Sequence, residues 1–146
     1  MKRVMVVGST GAGKTTLLKA LELSPGAVKK TASISYNSFS IDVPGEFLDI
    51  PRFYHTLISS SVKAALVLIV IDASNPKPFP SKISKAFRAP CIGVINKIDL
   101  LGNNGAKKIR VAKSFLEEAG VKEFYEVSAL SGKGIDELKR AIENFL

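Results

Sequence analysis

The stretch VMVVGSTGAGKTTLL, residues 4–18, commits the chain to a strand, a tight glycine-rich loop and a helix in immediate succession. The apolar run before the loop has no polar alternation, the pattern of a strand covered on both faces of a parallel sheet. The loop has the spacing G-x-x-x-x-G-K-[ST], with Gly8, Gly13, Lys14 and Thr15 at the fixed positions. Glycines there let successive backbone N–H groups turn inward, and the N-terminus of the following helix favours an anion. Gly8, Gly11, Ala12, Gly13, Lys14, Thr15 and Thr16 are therefore expected to hold the phosphates of a nucleotide. Lys14 would neutralise the β- and γ-phosphates, and the Thr15 hydroxyl would bind Mg²⁺.

The rest of the chain repeats the strand–helix rhythm. Strands are expected at 3–7, 39–43, 64–72, 91–97 and 124–129, with a weaker edge candidate at 33–36. Helical patterns cover 15–23, 51–61, 106–120 and 134–146, and in the last Ile135, Leu138, Ile142 and Phe145 share one face. Gly120 is placed to stop the third of these. The three prolines of NPKPFP, 75–80, leave little room for a full helix before the next strand. This alternation predicts a doubly wound α/β sheet, and 146 residues suit one domain over 1–146.

Composition narrows the classes. The longest apolar run, AALVLIVI at 64–71, falls far short of the ~20 residues of a membrane helix, so no membrane span is expected. With Cys91 as the single cysteine there is no internal disulfide, which fits a reducing cytoplasm. Cys91 and the lone histidine, His55, are read as structural. The net charge is +8. Between 77 and 113, Lys77, Lys82, Lys85, Arg88, Lys97, Lys107, Lys108, Arg110 and Lys113 stand against one acid, Asp99. Such a face suits an acidic partner, nucleic acid or anionic lipid, or is simply solvated; it lacks the aromatic residues that stack on bases.

Three further motifs follow in order. DVPGE places Asp42 and Gly45 at the end of a strand, where a carboxylate can hold Mg²⁺ through water and a glycine N–H can meet a γ-phosphate. In NKID, Asp99 can accept from the ring N–H and the exocyclic amine of guanine. Adenine has neither donor at those positions, and an unpaired buried acceptor is costly, so Asp99 would select guanine. Lys97 can lay its methylenes over the base, and Asn96 can tie the base loop to the phosphate loop. In SALSG, Ser128 can brace Asp99, the Ala129 N–H can donate to the guanine carbonyl, and Leu130 completes the base-binding set.

In this order, GSTGAGKT, the threonine of KKTAS, DVPG, NKID and SAL resemble the G-domain of translation-factor-class GTPases over nearly the whole chain. The resemblance implies a three-layer P-loop NTPase fold, a mostly parallel six-stranded sheet with one antiparallel edge strand and helices on both faces. It implies GTP and GDP as ligands, and it makes Thr31 the switch threonine at Mg²⁺ and the γ-phosphate, beside Thr15 and Asp42. Lys14, Thr31, Gly45 and Glu46 are then the candidates for the catalytic set. STGAGKTTL, KKT, IDVPGEF, PKPFP and APCIGVINKIDL are similar, more narrowly, to the ethanolamine-utilisation protein P and propanediol-utilisation protein V group. That likeness implies a bacterial-microcompartment context, with a shell or enzyme component meeting the switch segments.

Two positions depart from Ras-type GTPases. Glu46 stands where a water-orienting glutamine is usual. It would repel a γ-phosphate unless protonated or paired, and would act as a base only with a raised pKa. Lys29 and Lys30 either offset its charge or are plain loop lysines. Thr10 replaces a loop glycine and would obstruct an arginine finger, so turnover is expected to be slow. The leading expectation is a Mg²⁺-dependent GTPase switch moving residues 29–50. An ATP- or GTP-dependent phosphotransferase acting on a small carboxylate such as acetate is one alternative, and a nucleotide-holding module without turnover is another.

Overall fold

The central apolar runs do form strands covered on both faces, and their alternate side chains enter opposite cores. Within β4 (Leu66–Asp72) all residues but the last are buried. Its Val67, Ile69 and Ile71 join one hydrophobic cluster, and Leu66, Leu68 and Val70 join the other. The computed structural model describes residues 3–21, 35–36 and 40–146. Along the chain the further elements are β1 (Val4–Gly8), α1 (Lys14–Ala20), β2 (Ser35–Tyr36), β3 (Ser40–Asp42), α2 (Glu46–Asp49) and α3 (Tyr54–Ser61), which precede β4. After it come α4 (Ile83–Ala86), β5 (Cys91–Asn96), α5 (Gly105–Glu118), β6 (Phe124–Glu126) and α6 (Ile135–Glu143).

The sheet order is β2-β3-β1-β4-β5-β6. Five strands, β3, β1, β4, β5 and β6, are mutually parallel. The expected sixth strand is only a two-residue antiparallel pairing of β2 on the β3 edge, Ser35 opposite Asp42 and Tyr36 opposite Ile41. One face is covered by α1 and α6, through Leu17, Leu18, Leu138 and Ile142. The other face carries α2 to α5, through Leu48, Leu57, Ile83 and Leu116. The result is a three-layer α/β architecture in which the loops leaving β1, β3, β4 and β5 gather at the carboxyl edge of the sheet, where such folds bind ligands.

Several boundaries differ from the sequence reading for local reasons. Strand β6 stops at Glu126 rather than 129 because the chain turns there: the Ser128 N–H donates to the Lys133 carbonyl at 2.8 Å. Helix α5 ends at Glu118, two residues early, in a Schellman cap. Gly120 adopts φ +95°, its N–H donates to Glu117 at 2.9 Å, and Val121 donates to Leu116 at 3.0 Å. Pro51 starts the 51–61 segment as a 3₁₀ turn, Pro51–Phe53, before the α-helix proper. After the proline segment only the four-residue α4 forms.

The basic stretch is not one free face. Lys113 pairs with Glu126 at 3.5 Å, and Lys97 points instead into the carboxyl-edge site. Cys91 is core packing, as its half-buried thiol is pushed up to about 12 by desolvation.

Gly93 shows how tightly β5 is covered. A Cβ there would stand 2.9 Å from both Leu116 Cδ1 and Phe124 Cδ1 and 3.3 Å from Val121 Cγ1. Gly93→Ala is expected to destabilise the fold by ~1–3 kcal/mol through overpacking, lowering the melting temperature by several degrees in a circular-dichroism melt. An unchanged melting temperature would mean that α5 and β6 can move apart without cost.

Candidate functional site

Backbone geometry shapes the loop after β1. Gly8 closes the strand so near β4 that a Cβ would lie 2.6 Å from the Val70 carbonyl oxygen. Gly11 and Gly13 adopt φ +86° and +90°, left-handed conformations that favour glycine. Between these turns the Ala12 N–H donates to the Ser9 carbonyl at 3.0 Å. Helix α1 then starts at Lys14 with no side-chain cap from Gly13. Its first amides therefore have no capping side chain, and the positive end of the helix faces the loop. Lys14 is buried at this point, while Thr15 and Thr16 are half-buried.

The segment after β3 packs directly on this loop. Asp42 is in register with Val6 of β1, which places it at the carboxyl end of the sheet. A Cβ on Gly45 would run into the Thr10 backbone, coming within 2.5 Å of its Cα. Residue 45 can only be glycine if the two backbones are to touch. Helix α2 starts at Glu46, and the Phe47 and Leu48 amides donate back to Pro44 and Gly45 at 3.1 and 3.2 Å. Thr31, Lys29 and Lys30 lie outside the described residues, as do the side chains of Asp42 and Glu46.

The NKID and SAL segments meet across the end of β5. The buried Asn96 side chain donates from Nδ2 to the Ala12 carbonyl at 3.0 Å and accepts at Oδ1 from the Ala129 N–H, also at 3.0 Å, so that N–H is committed to Asn96 rather than presented to a guanine carbonyl as expected. One amide thus joins the phosphate loop, the NKID turn and the SAL turn. A Cβ on Gly13 would stand 2.5 Å from that Nδ2, so Gly13 also makes room for Asn96. The Ser128 hydroxyl donates to Asp99 Oδ1 at 2.7 Å and accepts from the Ser131 N–H at 3.1 Å. Lys97 adopts φ +66°, and its ammonium donates to the Gly11 carbonyl.

Gly13, Thr16, Asn96, Lys97, Asp99, Leu100, Ala129 and Leu130 line a cavity of about 160 Å³. All of them except Leu100 belong to the phosphate and base sets expected from the sequence. Its 58% exposure beside Leu130, at 81%, leaves two apolar side chains open at the rim. An apolar residue directly after the acid of NKID is the signal that would have found it. On the other flank of the phosphate loop a second cavity, about 150 Å³, is lined by Ser9 to Ala12, Asp72, Asn75, Lys77 and Phe79 among others.

Asp72 is a second residue at this edge that none of the motifs contains. It ends β4 in register with Asn96, and its Oδ2 lies 3.3 Å from the Lys97 ammonium. Its Oδ1 accepts from the Ser74 N–H at 2.8 Å and from the Ser74 hydroxyl at 2.5 Å. Burial alone would raise its pKa, but the two Ser74 hydrogen bonds and Lys97 outweigh this and hold the carboxyl below the ordinary carboxylate value. His55 is exposed on α3 and lines neither cavity.

The arrangement is a loop with two left-handed glycines and a buried lysine, joined by one amide to a small cavity walled by a braced carboxylate. Among the described residues no cluster of three His, Cys, Asp or Glu side chains could hold a metal. A metal here would need the hydroxyl and carboxylate oxygens around the loop together with ligand oxygens. Thr15 on α1 supplies one such hydroxyl, while the Asp42 side chain lies outside the described residues. No helix among the described residues is long and apolar enough to cross a membrane.

Comparison with known proteins agrees with this geometry. Residues 1–144 match the family described as "Ethanolamine utilisation - propanediol utilisation". The propanediol utilization protein PduV of Citrobacter freundii is 32% identical over 139 residues, covering 94% of this chain and 91% of that one. A protein of Escherichia coli K12 named "Probable acetate kinase EutP" is 41% identical over 78 residues, 53% of this chain and 49% of that one. Among solved structures, translation elongation factor SelB from Methanococcus maripaludis in complex with the GTP analogue GppNHp superposes with TM-score 0.73 at 27% identity. That alignment covers 99% of this chain and 34% of SelB, so the chain corresponds to about a third of that protein. The FeoB G-domain of Methanococcus jannaschii aligns over 98% of its own length with TM-score 0.65 at 24% identity, a likeness of fold. With the phosphate loop, the Asn96 bridge and the braced Asp99 in place, the chain belongs to the ethanolamine- and propanediol-utilisation family of small P-loop GTPases.

Proposed function

We propose that the protein binds GTP and GDP with Mg²⁺ and hydrolyses GTP slowly, as a nucleotide-dependent switch in ethanolamine or propanediol utilisation. The observation that carries this reading is the Ser128–Asp99 hydrogen bond in the wall of the cavity beside the phosphate loop. A carboxylate held by a neighbouring hydroxyl is pre-oriented to accept from guanine's ring N–H and amine, and adenine offers no matching donors. Leu130 and the Lys97 stem complete the base site, with Ala129 in its wall.

The loop from Gly8 to Thr16 receives the phosphates, with Lys14 neutralising the β- and γ-oxygens and the α1 amides donating to them. Thr15, Thr31 and Asp42 are the oxygens assigned to Mg²⁺, which when bound spreads the developing phosphate charge. Gly45 donates its N–H to the γ-phosphate, and its contact with Thr10 ties that hydrogen bond to the loop. Glu46 takes the place of the water-orienting residue, and its charge beside the γ-phosphate keeps the intrinsic rate low. Residues 29–50 then differ between the GTP and GDP states, and a microcompartment component reads the difference.

Titration calorimetry with Mg²⁺-GTPγS, Mg²⁺-GDP and Mg²⁺-ATPγS tests the base site. Guanine nucleotides are expected to bind more tightly, and Asp99→Ala should erase about two orders of magnitude of that preference, the value of two charge-assisted hydrogen bonds. Equal binding of ATPγS would end the guanine assignment. Loss of γ-phosphate only when acetate is added would assign phosphoryl transfer in place of hydrolysis.

Asn96→Ala leaves the Ala12 carbonyl and the Ala129 N–H without their buried partner. It is expected to lower folding stability by ~2–4 kcal/mol in urea titration and to weaken GDP binding as the two loops separate. Full retention of both would show that the loops hold their positions independently.

A further inference from the structure

We propose that Asp72 is a positioning residue for the nucleotide base: its carboxylate pins the Lys97 ammonium against the phosphate loop, so that the lysine stem stands as a preformed wall of the base cavity. The proposal rests on the guanine-nucleotide reading above and adds to it a residue that lies outside the four motifs.

Three observations carry it. First, Asp72 is itself immobilised. Both Ser74 donors bind Oδ1, and the Ala73 N–H donates to the Asn96 carbonyl at 2.8 Å, which locks the end of β4 to the end of β5. That leaves Oδ2 aimed at the Lys97 ammonium, 3.3 Å away.

Second, Lys97 is held in a backbone conformation that L residues adopt at a cost, φ +66°. Its side chain spans from the NKID turn to the Gly11 carbonyl and lines the base cavity on the way. A lysine stem has large rotamer freedom. Anchoring its far end before the ligand arrives removes an ordering cost that would otherwise fall on binding.

Third, the pair is shielded, with side-chain exposures of 31% for Lys97 and 17% for Asp72. That makes it less screened than a surface ion pair. The Gly11 carbonyl alone is a neutral acceptor; Asp72 supplies the only charged partner that Lys97 has among the ion pairs of the described residues.

A purely structural alternative exists, in which Asp72 serves only the turn at Ser74. A double-mutant cycle separates the two. Asp72→Asn keeps the shape and an oxygen acceptor for Ser74 but removes the charge, and Lys97→Met keeps the stem but removes the ammonium. Affinities for a fluorescent GDP analogue and for unlabelled GDP are measured for the four proteins, with melting temperatures alongside.

Asp72→Asn is expected to weaken GDP five- to tenfold when Lys97 is present, mainly through faster dissociation, and less than twofold in the Lys97→Met background. Equal losses in the two backgrounds would overturn the proposal and leave Asp72 a turn residue. If Asp72→Asn melts below the assay temperature, Asp72→Ser, which also removes the charge, takes its place in the cycle. Coupling of threefold or more then supports the assignment, and coupling under twofold overturns it. A wild-type protein that fails to bind GDP would overturn both this proposal and the reading beneath it, whereas tight wild-type binding with no coupling removes Asp72 alone.

Discussion

The side-chain amide of Asn96 holds the carboxyl edge of this protein together. It donates to the phosphate loop at Ala12 and accepts from the SAL turn at Ala129, both at 3.0 Å and both away from water. Neither neighbour could satisfy the other directly, because the two turns leave β1 and β6 on opposite sides of β5. A buried amide with one donor and one acceptor committed in opposite directions has a single orientation. That orientation fixes how far the phosphate subsite stands from the base subsite, and hence which ligand can occupy both.

The sheet makes such a bridge possible. Five parallel strands, covered on both faces, end at one edge with their loops side by side, so residues distant in sequence become neighbours by register alone. Asp72 opposite Asn96 and Val6 opposite Asp42 are two such meetings. The hydrophobic clusters on the two faces make the register rigid, because a slip of one residue would exchange the contents of the two cores. Packing far from the site therefore sets distances within it.

Much of this could be read from the chain before any coordinates. Unalternated apolar runs separated by helical patterns led to the parallel sheet, and the glycine spacing at 8–13 led to the loop with two left-handed turns. The Asn96 tie to the phosphate loop and the Ser128 brace on Asp99 are both legible in the NKID and SAL motifs, whereas the turn of the Ala129 N–H onto Asn96 is not. Asp72 stayed hidden because an aspartate at a strand end, two residues before a serine, has the signature of an ordinary turn. Its second role depends on the register of β4 against β5, which sequence patterning does not specify. Leu100 stayed hidden because one apolar residue in a short turn has no periodicity. The NKID motif puts the Lys97 stem over the base, but neither motif nor charge run says that its ammonium is held by Asp72 and the Gly11 carbonyl.

The meeting of Gly45 with Thr10 has a mechanical meaning. Gly45 brings no side chain of its own to the Thr10 backbone there, so little of the contact can absorb a displacement. A shift of the phosphate loop by a fraction of an ångström must push the start of α2, and α2 leads through Pro51 into α3 on the sheet face opposite α1. Soft side-chain contacts blur small movements; a bare backbone junction transmits them. In this molecule the loop meets one whole layer of helices at a place where a side chain has been left out.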